Sequence, residues 1–444
     1  MPVEPATVAS PTGTRLAWLD ALRGIAALLV VYEHLSLFLF HRYRLAVEHW
    51  FLAGYAGVCL FFLVSGYIIP ASLERRGSLR GFWIGRLFRL YPLFVVVLAL
   101  LVVLDRVGLR PLAPLPHPVT TAVAHTMMLP SLLGMPDILG VTWTLAFEMA
   151  FYLLVAGLFA VGLRRGSPIV ALVLAATALV LGGAMRPLLL SRSALGTRTV
   201  VLLALLVFAL ALAGMLSGRR PLALSGAVLG GLLAAGLLLT NQDTVHKWDG
   251  LLIPALMFTG TTLYRVEQRQ ISRWWAAVVP LGVAAVWTVQ NLRELAGYPP
   301  YFQQFRPRVM ITLGVVAVLF AAGMALRRRR IPRVLAWLGL VSYSIYLMHL
   351  LVIEVVEQRL GGRAGPSTAP GYVQLLLAVG LVGLVLAASW LTYRLVEAPA
   401  QRLGKVVARR LDARFGPDGT PGRAATSAVP LGVAGEPRDL VRLE

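Results

Sequence analysis

Apolar stretches of about 20 residues recur from residue 16 to residue 398, separated by short segments rich in arginine, glycine and proline. At about 1.5 Å per residue, such a stretch is long enough to cross the roughly 30 Å hydrocarbon core of a bilayer as a helix. The pattern predicts helices near 17–40, 51–72, 82–104, 141–163, 168–190, 199–217, 221–240, 250–265, 273–292, 308–326, 334–358 and 372–397. The expected fold is an all-α, polytopic integral membrane helical bundle of about 10–12 transmembrane helices. Residues 1–15 read as a disordered N-terminus, 16–404 as the transmembrane domain, and the Pro/Gly/Ala/Arg-rich stretch 405–444 as a disordered cytoplasmic tail. Two connections are longer than the rest. Residues 105–140, with "RPLAPLPHP" and "HTMMLPSLLGMPD", are proline-rich and half apolar and predict a partly re-entrant cap; residues 293–307 predict an aromatic external loop.

Composition agrees with a membrane protein. Of 444 residues, 58% are hydrophobic and 14% charged, where a soluble domain carries about 25% charged residues. The formal net charge of +21 is almost all arginine, the lysines being Lys247 and Lys405. A basic chain can bind nucleic acid, but these arginines fall between the apolar stretches, as the positive-inside rule requires, and no nucleic-acid partner is expected. With twelve spans both termini share one side. Arg75, Arg76, Arg80, Arg164, Arg165, Arg219, Arg220 and the run Arg327–Arg330 all fall on that side, which is therefore expected to be cytoplasmic in a cell membrane, although Arg186, Arg192 and Arg198 blur the contrast. The N-terminus lacks a basic n-region and a cleavage site, so the first helix is expected to stay attached. Cys59 is the single cysteine, which rules out an intrachain disulfide.

Ionisable groups inside the apolar stretches cost about 2.5–3.5 kcal/mol each on insertion scales and therefore tend to face a bundle interior and mark function. Arg23 and His34 lie eleven residues apart. That separation is about 1100° of rotation, within about 20° of three whole turns, and about 16 Å of rise. Both belong on one helix face, Arg23 toward the cytoplasmic end and His34 well inside. An arginine snorkelling to the interface and a histidine making a helix–helix hydrogen bond would account for each alone. Arg86 and Arg89 are neighbours at the start of the third predicted helix, as topological anchors or as a two-guanidinium clamp for phosphate. Glu148 and His349 fall at a depth similar to that of His34, and Ser342, Tyr346 and His349 share a face. No HExxH and no cysteine pair is present, so no metal is expected. Asp20 suits capping of the first helix.

Several segments resemble the membrane-bound acyltransferase family 3. "LDALRGIAALLVVYEH" is similar to its first-helix pattern of a basic residue, ten positions and a histidine, here Arg23 and His34. "GVCLFFLVSGYII" resembles its Phe-Phe-x-x-Ser-Gly signature with Ser65, "FWIGRLFRLYP" its Arg-x-x-Arg motif with Arg86 and Arg89, and "WTLAFEMAFYLL" its Trp-x-Leu-x-x-Glu pattern with Trp143 and Glu148. "LGLVSYSIYLMHLLV", with Tyr346 and His349, and "YRLVEAPAQRL" resemble the closing elements. The chain departs from the family at Met149, Ala150 and Ala398, and in carrying Glu33 beside the histidine.

The resemblance implies an O-acyltransferase. Its donor would be acyl-CoA, most simply acetyl-CoA, and its acceptor a hydroxyl of a glycan, glycolipid or macrolide-like molecule. Arg23, Arg86 and Arg89 would then hold the phosphates of coenzyme A. His34 would act as base or transient acyl carrier, with Glu148 orienting its imidazole or stabilising its cation. Ser65, Trp143, Tyr346 and His349 would line the tunnel. A transporter or flippase of a polar substrate is the alternative, since intramembrane charges also mark transport paths.

Overall fold

The computed structural model describes residues 17–416, except 244, 245 and 363. Among the described residues the secondary structure is helical throughout. The chain opens with α1 (Ala17–Leu39), a short α2 (His41–Glu48), α3 (Ala53–Arg76), α4 (Leu79–Arg106) and α5 (Pro118–Thr126). Then follow α6 (Thr142–Ala160), α7 (Ser167–Leu181), α8 (Ala194–Leu216), α9 (Arg220–Thr240), α10 (Asp249–Glu267), α11 (Trp275–Ala296) and α12 (Pro299–Leu326). The last part holds α13 (Arg333–Leu340), α14 (Ser342–Arg359), α15 (Ala364–Thr368), α16 (Gly371–Thr392) and α17 (Ala398–Phe415).

Ten helices among the described residues are long and apolar enough to cross a bilayer, and α13 with α14, bent by 69° at their junction, makes an eleventh. The protein is a multi-pass membrane helical bundle. Each of the twelve predicted stretches carries a helix, but the one near 250–265 differs in kind. It forms α10, in which every residue from 249 to 262 is buried. A helix surrounded by protein has no lipid to face, so Thr259, Thr261 and Thr262 are tolerated there, each hydroxyl donating to the backbone carbonyl four residues earlier.

The burial of α10 depends on two glycines. A Cβ on Gly66 of α3 would stand 1.8 Å from the Met257 carbonyl oxygen, and one on Gly260 would stand 2.1 Å from that of Leu63. The backbones of α3 and α10 therefore touch, and Thr261 Oγ1 donates across the crossing to the Gly66 carbonyl at 2.8 Å. This contact gives the glycine of "FFLVSGY" a packing reason. Gly66→Ala is expected to cost at least about 1–3 kcal/mol, read as a lowered unfolding temperature in detergent. Gly236→Ala, where an added Cβ meets nothing within 4 Å, should leave that temperature unchanged or slightly raised; equal behaviour of the two variants would refute the crossing.

The second half of the segment 105–140 dips into the bundle, as a partly re-entrant cap would: Met127, Met128, Leu129, Leu132 and Leu133 are each at most 1% exposed, and Asn241 Nδ2 donates to the Leu132 carbonyl at 3.1 Å. Two expectations change. The predicted loop 293–307 is mostly helix, because α11 runs to Ala296 and α12 begins at Pro299. The predicted tail from residue 405 begins inside α17, which continues to Phe415. An overall polar composition hides the apolar period of Leu403, Val406, Val407 and Leu411 there, and the helix is held to α4 by Gly404 against Phe88 and by Arg80 paired with Asp412 at 2.6 Å. The N-terminal segment 1–15 and the tail beyond 416 lie outside the described residues.

Candidate active site

Three helices carry arginine and glutamate side chains into one chamber. Arg23 stands six residues into α1, and Arg86 and Arg89 stand seven and ten residues into α4. At about 1.5 Å per residue these groups lie about 9–15 Å along their helices. Arg86 and Arg89 are thus a turn deeper than a helix starting at residue 82 implies. The cause is Ser78, whose Oγ accepts from Gly81 N at 2.9 Å and caps α4 earlier. Arg86 is buried and lies over the rings of Phe82 and Tyr152, at 5.2 and 5.0 Å from their centroids. The Tyr152 hydroxyl in turn donates to Glu148 Oε1 at 2.5 Å, one turn away on α6. Glu148 is within electrostatic reach of all three arginines.

The chamber is lined by Arg23, Ser65, Arg86, Arg89, Glu148 and Tyr346, with Phe61 and Phe62 of α3 as an apolar wall. Arg23 and Arg89 also line a second, more polar cavity, so these two guanidinium groups border both spaces. This vestibule is walled by Asp20, Glu397, Gln401, Arg402 and Lys405. Glu397, from "YRLVEAP", is buried and accepts from Ser344 Oγ at 2.8 Å and from Gln401 Nε2 at 3.0 Å. Gln401, Arg402 and Lys405 line the vestibule without having been singled out in the sequence; Gln401 and Arg402 fall in the segment "YRLVEAPAQRL", and the periodicity of α17 turns all three to one side. Tyr152, likewise not singled out, lies four residues after Glu148 and hence on its face.

The histidines come together elsewhere. His349 Nε2 lies 3.3 Å from His34 Nδ1, and the two rings stand edge to face with centroids 5.0 Å apart. The equal depth predicted for these two side chains on α1 and α14 is therefore a contact. Neither imidazole lines the chamber. Tyr346 does, and its ring packs against both Phe61 and His349, 5.8 Å from each centroid to centroid. It is fixed there by Thr144 Oγ1 donating to its hydroxyl at 2.7 Å and by its own bond to the Val141 carbonyl at 3.1 Å. Tyr346 thus touches both the chamber and the His349 ring, whereas His34, which periodicity puts on one face of α1 with Arg23, is not among the residues lining the chamber. Glu148 is not hydrogen-bonded to either imidazole; it belongs to the arginines and Tyr152.

Trp143 lines a cleft at the opposite end of α6 from the arginines, together with Asp137 and Asp243, instead of the chamber. It packs edge-on against Phe62, at 6.4 Å, so the two rings stand between cleft and chamber. Asp137 holds this corner. Its carboxylate accepts from Leu139 N, Gly140 N, Thr142 Oγ1 and Trp143 N at 2.5–3.1 Å, capping α6. Among the described residues no group of three or more His, Cys, Asp or Glu side chains is placed to hold a metal.

Fold and site together define a multi-pass membrane protein with a guanidinium-lined chamber beside a polar vestibule. The chain belongs to acyltransferase family 3, whose sequence model, an acyltransferase domain, matches residues 16–197 and 198–394. It is 26% identical over 421 residues to acyltransferase MdmB of Streptomyces mycarofaciens, covering 92% of this chain and 96% of that protein. It is also 27% identical over 384 residues to the exopolysaccharide production protein ExoZ of Rhizobium meliloti strain 1021, covering 85% of this chain and 96% of the relative. No solved structure shows significant similarity to the chain. Family membership supports acyl transfer as the general activity.

Proposed function

We propose that this protein transfers an acyl group, in the simplest case acetyl, from cytoplasmic acyl-CoA to a hydroxyl of a glycan, glycolipid or macrolide-like acceptor. The observation that carries this reading is that Arg23 and Arg89 border both vestibule and chamber. A nucleotide with several phosphates needs fixed cations, and guanidinium groups offer planar forks of donors that match phosphate oxygens. The pantetheine arm is narrow and largely uncharged, as suits a space walled by Phe61 and Phe62. The donor enters from the arginine end, which the charge distribution assigns to the cytoplasm.

In the transfer, the acceptor oxygen attacks the thioester carbonyl as its proton passes to the unprotonated nitrogen of His34. The carbon–sulfur bond breaks, and the imidazolium returns the proton to the departing CoA sulfur. Because Tyr346 separates chamber and imidazoles, it must turn aside or present the thioester across its ring edge. The exopolysaccharide role in ExoZ's name favours a glycan acceptor. Saturable binding of labelled acetyl-CoA by the detergent-purified protein, followed by CoA release in the presence of acceptor, tests the reading. Absence of both returns the transporter alternative.

Arg402 and Lys405 are exposed neighbours on α17 at the vestibule mouth, where the 3′-phosphate of coenzyme A would rest. Acetyl-CoA should bind about 10-fold more tightly than its 3′-dephospho analogue, the worth of one charged hydrogen bond. The double variant Arg402→Ala, Lys405→Ala should bind both alike. Discrimination unchanged in that variant would send the phosphate elsewhere.

A further inference from the structure

The histidine pair carries information that the family assignment does not. His349 is fully buried on α14. Its Nδ1 lies 2.8 Å from the Tyr346 carbonyl oxygen and 3.1 Å from that of Ile345. Carbonyl oxygens only accept, so Nδ1 of His349 must carry the hydrogen. In the neutral ring, the form suited to a fully buried site, Nε2 is then bare. That bare nitrogen faces His34 Nδ1 at 3.3 Å, and the same His34 Nδ1 lies 3.0 Å from the Val30 carbonyl oxygen. With two acceptors before it, His34 Nδ1 must be the donor. A neutral imidazole carries one hydrogen, so Nε2 of His34 keeps its lone pair.

We propose that His349 is a positioning residue that, together with the Val30 carbonyl, locks His34 in the Nδ1–H tautomer and so leaves His34 Nε2 as the atom that takes the acceptor's proton. This inference rests on the acyl-transfer reading for its consequence, though not for the tautomer itself. An aspartate plays the same part for the base of a serine protease, but here a neutral acceptor does it. A carboxylate in that position would favour the imidazolium; a neutral imidazole fixes the tautomer without adding charge in the membrane. Charged groups on the surrounding elements are committed elsewhere. Glu33 pairs with Arg44 at 2.9 Å and accepts from Gly54 N at 3.1 Å, Arg44 also pairs with Glu48 of α2, and Glu354 pairs with Arg110. The spans of α16 and of α3 from residue 53 to 73 contain no charged residue. Tyr346 is the titratable side chain beside His349, and its hydroxyl is engaged by Thr144 and Val141.

Nuclear magnetic resonance reads the tautomer without any need for turnover. The chain holds seven histidines, few enough to resolve the ring nitrogens of ¹⁵N-histidine protein in nanodiscs, with His34→Gln to assign the signals. Wild type should show His34 protonated at Nδ1, and His349→Phe, which leaves the Val30 carbonyl as the remaining acceptor, should show a measurably larger share of the Nε2–H tautomer. A His34 protonated at Nε2 in the wild type would overturn the proposal. In turnover assays His349→Phe should lower kcat by about 10–100-fold with KM for acyl-CoA unchanged, the usual cost of losing a partner behind a reactive histidine. His349→Gln, whose amide oxygen can accept the same hydrogen, should recover most of the loss. His349→Glu should move the acidic limb of kcat/KM upward by about one to two pH units, because a carboxylate favours the imidazolium. If Gln behaves like Phe, or if the limb stays in place with Glu, His349 serves packing alone and the proposal falls. A locked tautomer in a protein that releases no CoA would instead sink the acyl-transfer reading and leave the positioning role standing.

Discussion

His34→Ala is expected to lower turnover by about 10²–10⁴-fold, the usual worth of a positioned proton acceptor, while acyl-CoA still binds with wild-type affinity. The second half of that expectation follows from geometry. His34 does not line the chamber that holds the arginines, and Tyr346 with Phe61 stands between them. Removing the imidazole therefore leaves the donor's contacts untouched and takes away only the group that accepts the proton. His34 is also only partly buried, and its principal side-chain partner is His349, so alanine should not unfold the bundle. The measurement is a coupled assay of CoA release and acylated product beside a direct binding curve for labelled donor. Wild-type turnover would remove His34 from the mechanism, and a parallel loss of donor affinity would mean that the thioester already rests against the ring.

How much of this was legible before the fold can be judged residue by residue. Helix periodicity alone puts Arg23 and His34 on one face and gives His34 and His349 equal depth, and the fold turns the latter into a contact of 3.3 Å. What periodicity does not reveal is which third helix meets that pair. Glu148 has a matching depth by residue count, yet α6 aims it at Arg23, Arg86 and Arg89, because the earlier cap at Ser78 sets the two α4 arginines a turn deeper. Depth is a coordinate along one axis, and azimuth between helices is fixed only by packing. The same limit explains α10. Its apolar pattern reads as one more span, and only the glycine crossing at Gly66 and Gly260 reveals that the helix is surrounded by protein. Composition misleads at α17 for a different reason: a polar, arginine-rich average conceals an amphipathic period. Through that period Gln401, Arg402 and Lys405 reach the vestibule.

Glu148→Gln should give the second large effect, and its sign separates two roles for this carboxylate. Glu148 is the acidic side chain among the residues lining the chamber, facing Arg23, Arg86 and Arg89. Taking one partner out of a buried charge pair costs about 3–5 kcal/mol, and here Glu397 and Asp20 still offset part of the charge on Arg23 and Arg89. Water in the chamber should hold the loss near the lower figure. The unfolding temperature of the donor-free protein in detergent should therefore fall by several degrees. If the same arginines receive the phosphates of coenzyme A, the donor supplies the missing negative charge. Adding acyl-CoA should then raise the unfolding temperature of the glutamine variant by more than it raises that of wild type, since stabilisation grows with affinity for the folded state. A variant with normal stability and a normal response to donor would detach Glu148 from the arginines. If that variant also lost CoA release, Glu148 would return to the part first expected of it, partner of the imidazole, and Glu397 and Asp20, which also act on Arg23 and Arg89, would be the counter-charges of the guanidinium cluster.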